Sequence, residues 1–369
     1  MCAKASLVLL LCLIVAACGP TLPPSATQAP QPTGVPTSAP TQPTLAKELH
    51  IYNWSEYIDP QVYIDFEKEF GVHVVEDTFA SNEELLAKLQ AGATGYDVIV
   101  PSDYMVSIMV ELDLLAPLDL DHIPNRQNLY PMFQDPPYDP GNAHCIPYQW
   151  GTTGIGYNKE VFPEPPDSWA YLFDPEIAGQ YAGKISMLND SREAIGAALK
   201  YLGYSLNSTD PAQLEEAKQI LLRQKAWVAT YDSEQFEDLL MTGDTVMAHA
   251  WSGDIFMAAA EDERLWYAIP KEGATVWADN LCIPKSSQNR YTAEVFINYL
   301  LRPEVAAKIS NFTWYASPVQ NAEPFLKPEI REEPAIYPPP EVMARLEWIE
   351  DVGEATALYD RIWTEVRAH

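Results

Sequence analysis

LHIYNWSEYIDPQVYIDFEKEFGVHVV, residues 49–75, holds one complete unit of an alternating architecture. Leu49-His50-Ile51-Tyr52-Asn53-Trp54 has the aromatic and branched content of a strand. Asp59-Pro60 then opens a helix. An aspartate oxygen accepts from the first free amides, and proline, lacking an amide hydrogen, loses nothing at the first helical position. Val62 to Phe70 carries helical spacing, Gly71 supplies the left-handed stop, and Val72-His73-Val74-Val75 reads as the next strand. Strand, helix and strand in succession argue an α/β architecture.

The same grammar continues outward. Ser81-Asn82-Glu83-Glu84 is a capping box that opens a helix through Leu89. Tyr96 to Val100 is a largely apolar third strand, as expected in a buried mixed or parallel sheet. A second alternating block runs from about Gly151 to Pro270. It contains a strand over 183–188, helices over 191–202 and 211–223, and a strand over 245–250. Helical segments follow over 291–301, from Arg302 or Pro303, and over 355–367. The chain's 369 residues exceed what one core usually serves, so two cores are expected.

The amino-terminal end is of a different kind. Lys4, an apolar run from Leu7 to Val15 and the small pair Ala16-Ala17 describe a secretory signal, too short for an ordinary membrane span. Val15-Ala16-Ala17-Cys18 resembles the bacterial lipobox, which implies a leader over residues 1–17 and lipidation at Cys18. Residues 18–46 then form a Pro- and Thr-rich tether, which lacks the apolar content to fold. The expected location is extracytoplasmic: a periplasm, or the outer face of the cytoplasmic membrane. Cys145 and Cys282 would then share an oxidising compartment. Cys282, inside Leu281-Cys282-Ile283, is expected to pack as a small hydrophobe, with a pair to Cys145 left open.

A net charge of −29 argues against nucleic acid, which needs a basic footprint. Phosphate-binding glycine loops, nucleophile elbows and metal-ligand spacings are absent, so neither cofactor nor metal is expected. What recurs is an aromatic residue beside a carboxylate near the ends of expected strands. The cases are Trp54-Ser55-Glu56-Tyr57, Ser102-Asp103-Tyr104, Asp190-Ser191-Arg192-Glu193, Trp251-Ser252-Gly253-Asp254 and Trp277-Ala278-Asp279. Ligands of open α/β sheets bind at such ends. Aromatic faces attract ammonium groups by roughly 0.5–2 kcal/mol, and spaced carboxylates pair with separate amines. Each residue also has a plain structural use. Asp190 and Glu193 make a capping box, Ser102, Asp103 and Asp254 suit helix N-caps, and the tryptophans suit a core.

From Leu49 onward the chain resembles the spermidine/putrescine-binding proteins of bacterial ABC transporters. The resemblance rests on Tyr52-Asn53-Trp54-Ser55-Glu56-Tyr57, Val100-Pro101-Ser102-Asp103-Tyr104, Ile146 to Gly151, Asp190 to Glu193, Ala250 to Asp254, Pro270 to Gly273, Trp277-Ala278-Asp279 and Leu301-Arg302-Pro303. It implies a two-lobed, type II periplasmic-binding-protein-like α/β fold with the ligand cleft between lobes. Trp54, Ser55, Glu56, Tyr57, Ser102 and Tyr104 would line the cleft from one lobe, with Asp190, Glu193 and Trp251 facing them. Trp277 would stack on the alkyl chain, Asp279 would clamp an amine and Tyr315 would complete the wall. Asp254 matches a carboxylate of putrescine-preferring members, whereas Ile349 stands where spermidine binders have a glutamine.

The expected lobes are 47–152 plus 279–320 and 153–278 plus 321–369, crossing near Gly151-Thr152-Thr153-Gly154 and near Ala278, where glycines suit a hinge. The expected partners are putrescine or spermidine, ABC permease subunits and, through the lipid, a membrane. The protein would be a monomer with no enzymatic turnover. The rivals are a binder of another small organic cation, a binder of iron held by tyrosines, a secreted carboxylate-dependent glycoside hydrolase and a surface adhesion lipoprotein.

Overall fold

A computed structural model describes residues 43–368 of the chain. The leader, Cys18 and most of the tether lie outside the described residues. The last tether residues are seated on the body: the Ala46 amide donates to Thr292 Oγ1 at 2.8 Å, and Leu45 packs against the core.

Ten strands are described: β1 (Glu48–Trp54), β2 (His73–Phe79), β3 (Val98–Ile99), β4 (Cys145–Asn158), β5 (Ile185–Met187), β6 (Val228–Tyr231), β7 (Met247–Trp251), β8 (Leu265–Ala268), β9 (Thr275–Cys282) and β10 (Glu347–Trp348). Their main order is β2-β1-β3-β9-β4-β7-β5-β6, with β10 beside β9 and β8 beside β4. β1 pairs in parallel with β2 and β3, and β5 pairs in parallel with β6 and β7. The two parallel groups are joined through β4 and β9, which run antiparallel to each other.

β4 is the hinge of this topology. Its first part, Cys145 to Thr152, pairs with β9; from Thr153 onward it pairs with β7, and from Ile155 with β8. One continuous strand therefore serves both strand groups. All its residues are buried, as are all those of β9.

The helices form where the sequence has caps. Pro60–Phe70 starts with the Asp59 carboxylate accepting the Gln61 amide at 2.8 Å and ends at Gly71 with φ +69°. Asn82–Gln90 starts with Ser81 Oγ accepting the Glu84 amide. Ser191–Tyr201 starts with Asp190 accepting the Arg192 and Glu193 amides at 2.9 and 3.0 Å.

Gly151 and Gly154, at the expected crossing between lobes, lie inside β4 and are closely packed: a Cβ at Gly151 would fall 2.8 Å from the Trp277 ring and 2.9 Å from Tyr315, and one at Gly154 would fall 2.5 Å from the Ala268 carbonyl. Two expectations change. The second strand starts one residue late and runs on to Phe79, because β2 is a half-exposed edge strand whose Glu76 and Asp77 break the apolar pattern. Cys282 does not pack as a free thiol. Cys145 and Cys282 are register partners of β4 and β9 and form a disulfide across a sequence separation of 137 residues.

A crosslink closing so long a loop restricts the unfolded chain, typically by about 2–5 kcal/mol. The Cys145→Ser/Cys282→Ser double variant is expected to lose stability of about that size in denaturant titration. An unchanged midpoint would show that the bond adds nothing to the β4–β9 pairing.

Candidate functional site

The carboxyl ends of the parallel strands converge on one cavity. β1 delivers Trp54 to Tyr57, β2 delivers Phe79, Ala80 and Asn82, and β3 is followed by Ser102 and Tyr104. From the other group come Asp190 and Glu193 after β5, Ser233, Glu234, Phe236 and Glu237 after β6, and Trp251 with Asp254 at the end of β7. Trp277 and Asp279 of β9, Tyr315 and Ile349 complete a wall enclosing about 930 Å³, counting its open mouth. All thirteen residues singled out from the sequence lie on this wall. Trp277 and Asp279 reach it from inside β9 rather than from a strand end.

Local structure explains how each side chain gets there. Trp54 is the last residue of β1, and its indole N–H donates to the Val100 carbonyl at 2.9 Å. Glu56 follows with φ +54°, an uncommon conformation for a residue with a Cβ. The helix Pro303–Thr313 ends at Trp314 in the left-handed region, which places Tyr315 beside the cavity. Gly253 is needed there, since a Cβ would fall 2.6 Å from the Tyr315 ring.

Asp279 is only 5% exposed. Its Oδ1 accepts from Ser102 Oγ at 2.6 Å and its Oδ2 from the Tyr57 hydroxyl at 2.7 Å. Ser102 precedes the helix Asp103–Glu111, yet its hydroxyl is spent on Asp279 rather than on capping. Asn82 fixes it there, donating to Ser102 Oγ and accepting the Ser102 amide, both at 3.0 Å. Asp190 does cap, as above, but Glu193 does not close the box. Glu193 turns away, and its Oε1 accepts from Thr153 Oγ1 at 2.7 Å and from the Trp251 indole at 3.3 Å. Its Oε2 is buried with no partner, as is Glu237 Oε2. Asp103 serves the backbone, accepting from the Tyr104 amide at 2.8 Å. Asp254 sits in the first turn of helix Ser252–Glu261, not at its cap.

The aromatic rings meet edge to face: Trp54 with Trp251 at 6.3 Å, Tyr57 with Tyr315 at 5.4 Å and Trp277 with Tyr315 at 5.1 Å. Such rings leave flat faces and bind methylene chains as well as cations.

Among the described residues, no lysine, arginine or histidine lines the cavity. Burial therefore dominates its acids. It pushes the Asp279 carboxyl up to about 7, held back by the Ser102 and Tyr57 hydroxyls. It pushes Asp254 to about 7, with the Tyr315 hydroxyl opposing and Glu56 adding to the rise. Glu193 rises to about 7 through burial and the neighbouring Asp190 charge. Glu237 rises to about 8 through burial and then Asp254. Asp190 is also raised by burial, against the two backbone amides it caps.

Sequence reasoning missed Phe79, Ala80, Asn82, Ser233, Glu234, Phe236, Glu237 and the wall position of Ile349 as a set. Most of these follow β2 and β6, the two edge strands. Reading those strands to their true ends would have carried the same strand-end rule to them.

Among the described residues no cluster of side chains is suited to a metal. Residues 61–338 match the family model of the bacterial extracellular solute-binding proteins. The spermidine/putrescine-binding periplasmic protein of Salmonella typhimurium is 36% identical over 322 residues, covering 87% of this chain and 91% of that protein. A putrescine-binding periplasmic protein of Escherichia coli is 38% identical over 345 residues, covering 88% and 93%. The crystal structure of a lipoprotein of Treponema pallidum superimposes with a TM-score of 0.78 at 32% identity, covering 87% of this chain and all of that one. Two strand groups sharing β4 and β9, with an acid-lined cavity at their strand ends, thus make a two-lobed type II fold, and the chain belongs to the bacterial extracellular solute-binding proteins.

Proposed function

We propose that this chain is the exported, lipid-anchored capture subunit of an ABC importer, and that it binds putrescine or spermidine in the cavity between its lobes. The observation that carries the reading is the cavity's charge. Several buried or half-buried carboxylates share one wall with tryptophans and tyrosines; among the described residues no basic side chain lines that wall, and only Asp190 has a cation, Arg192, acting on it from behind. A buried charge without a partner is costly, so the partner is supplied by the ligand. Ammonium groups fit the carboxylates, and the aromatic faces fit the methylenes between them.

In this reading Asp279 clamps one amine, preset by Ser102 and Tyr57. Glu193 and Asp190 receive another from the opposite side. Trp277 and Tyr315 cover the alkyl chain, and Trp54, Ser55, Glu56, Tyr104, Trp251 and Asp254 complete the enclosure. Ile349 contributes an apolar contact and leaves the amine selectivity to the acids. The lobes are 47–152 plus 279–320 and 153–278 plus 321–369. Supporting this, β4 changes partners between Thr152 and Thr153, and the helix Thr356–Ala368 packs on helices Ser191–Tyr201 and Pro211–Gln224. Ligand favours the closed arrangement because only there does it touch both lobes, and that form is what the permease engages. The protein acts as a monomer. The lipobox-like Val15-Ala16-Ala17-Cys18 supports anchoring, as does the Treponema pallidum relative, itself a lipoprotein.

Calorimetric titration of the purified protein with putrescine, spermidine and spermine tests the reading. Saturable one-site binding is expected, and Asp279→Asn is expected to weaken it by at least about tenfold, the size of one charged hydrogen bond. Binding of none of the three by folded protein would send the assignment to another organic cation. Cells fed a labelled fatty acid are expected to tag the wild-type protein and not Cys18→Ser, and an untagged wild type would rule out the anchor.

The raised acids also set a pH dependence. Between about pH 4.5 and 7 the empty folded protein holds protons on Asp254, Asp279, Glu193 and Glu237 that the unfolded chain, with carboxyl groups near 4, has already shed. Stability of the empty protein should therefore fall as pH rises through this window. Buried His249, pushed down to about 3, acts in the opposite sense, but one histidine does not offset four carboxyls. Melting temperature against pH checks this. Binding of a cation at pH 7 should also release protons, read as a dependence of the calorimetric heat on buffer ionisation. Identical heats in phosphate and Tris would contradict it.

A further inference from the structure

We propose, resting on the polyamine reading above, that Gln149 is a positioning residue for the amine clamp: it touches no ligand and holds Tyr57 where the tyrosine hydroxyl meets Asp279. The starting point is an irregularity in the pairing of β4 with β9. Pro147 stands opposite Asn280, but Gln149, two residues on, stands opposite Asp279, so β4 carries one extra residue at Tyr148. Consecutive side chains of a regular strand leave on opposite faces, and a bulge re-aims them. Here Tyr148 and Gln149 reach the same atom. The Tyr148 hydroxyl donates to the Tyr57 carbonyl at 2.9 Å, and Gln149 Nε2 donates to it at 3.0 Å.

The other end of the amide is fixed as well. Gln149 Oε1 accepts from Thr313 Oγ1 at 2.5 Å. Thr313 ends the helix Pro303–Thr313, and just beyond it the amides and carbonyls of Trp150 and Ala316 pair reciprocally at 3.0 Å. β4 therefore grips this stretch at two points. The Tyr57 carbonyl can only accept, so Nε2 faces it and Oε1 is left to take a hydroxyl hydrogen. Gln149 is 1% exposed, so its bonds are not exchanged for water and the side chain has one satisfied arrangement. Gln149, Tyr148 and Thr313 all lie behind the cavity wall rather than on it.

The clamp thus has two matching arms. Asp279 Oδ1 accepts from the Ser102 hydroxyl, and the amide of Asn82 holds Ser102. Asp279 Oδ2 accepts from the Tyr57 hydroxyl, and the amide of Gln149 holds Tyr57. The second arm depends on its amide, because Tyr57 follows Glu56, at φ +54°, in a stretch outside any helix or strand. Side-chain bonds to its carbonyl are what locate the ring. An ammonium group arriving at Asp279 then meets a carboxylate whose direction is already set.

A double-mutant cycle tests this role. Gln149→Met keeps the bulk of the side chain and removes both of its hydrogen bonds. Tyr148→Phe removes one donor and keeps the ring, and Tyr57→Phe removes the hydroxyl that Gln149 places. Putrescine and spermidine are titrated by calorimetry into wild type, the single variants and the pairs Gln149→Met/Tyr57→Phe and Tyr148→Phe/Tyr57→Phe. Weak binding is read instead from the rise in melting temperature with excess amine. Gln149→Met is expected to weaken binding about tenfold when Tyr57 is present and less than about twofold in the Tyr57→Phe background, where the positioned hydroxyl is already gone. Tyr148→Phe is expected to follow the same pattern with a smaller loss, and it decides the matter if Gln149→Met does not fold. Equal losses in both backgrounds, or an unchanged affinity in folded Gln149→Met, would make Gln149 scaffold alone and overturn the proposal while leaving the polyamine reading standing. Absence of saturable binding of either amine by folded wild type would overturn that reading and the positioning role with it.

Discussion

Asp279 lies in the middle of a central strand with both oxygens committed to hydroxyl donors, and much of the site follows from that arrangement. Water is excluded, so the carboxylate's charge is expensive; the Ser102 and Tyr57 hydroxyls return part of that cost. The balance leaves an acid that is only partly charged at neutral pH until something positive stands in front of it. The geometry is enforced from a distance. Asn82, just after β2, holds Ser102, and Ser102 holds Asp279 in β9. Three separate stretches of chain thus fix one carboxylate, giving the kind of preorganisation that lowers the ordering cost of binding.

The elements that the sequence revealed are those with local signals. Asp59, Ser81 and Asp190 mark helix starts because a cap is a short-range interaction between neighbours in the chain. β4 and β9 gave no comparable signal. They are buried on both faces, so alternation is lost, and β4 contains Pro147, Gly151, Gly154 and Gly156, residues that usually argue against a central strand. Their glycines make sense only once Trp277, Tyr315 and Tyr267 are seen pressed against them. Long-range packing was the information that the linear pattern lacked.

The site was more legible than its scaffold, because one chemistry recurs beside successive strands. The residues that escaped lie beyond the two edge strands. An edge strand has only one neighbour and is half exposed, so β2 carries Glu76 and Asp77 in mid-strand and β6 is a modest Val-Ala-Thr-Tyr. The choice between structural and functional readings also proved false in one place. Asp190 caps a helix and lines the cavity at once, and because its two backbone bonds oppose the effect of burial, the cap itself tunes the acid.

Gly151 and Gly253 have a wider meaning. They flank the aromatic wall from behind, and a single methyl group at either position would collide with Trp277 or Tyr315. The bore of the cavity is therefore set by two positions that offer a ligand no side chain. A change of cargo can be written into the wall acids one at a time, but the cavity's width is inherited. Any lineage built on this backbone can alter which charges it reads far more readily than how thick a molecule it admits.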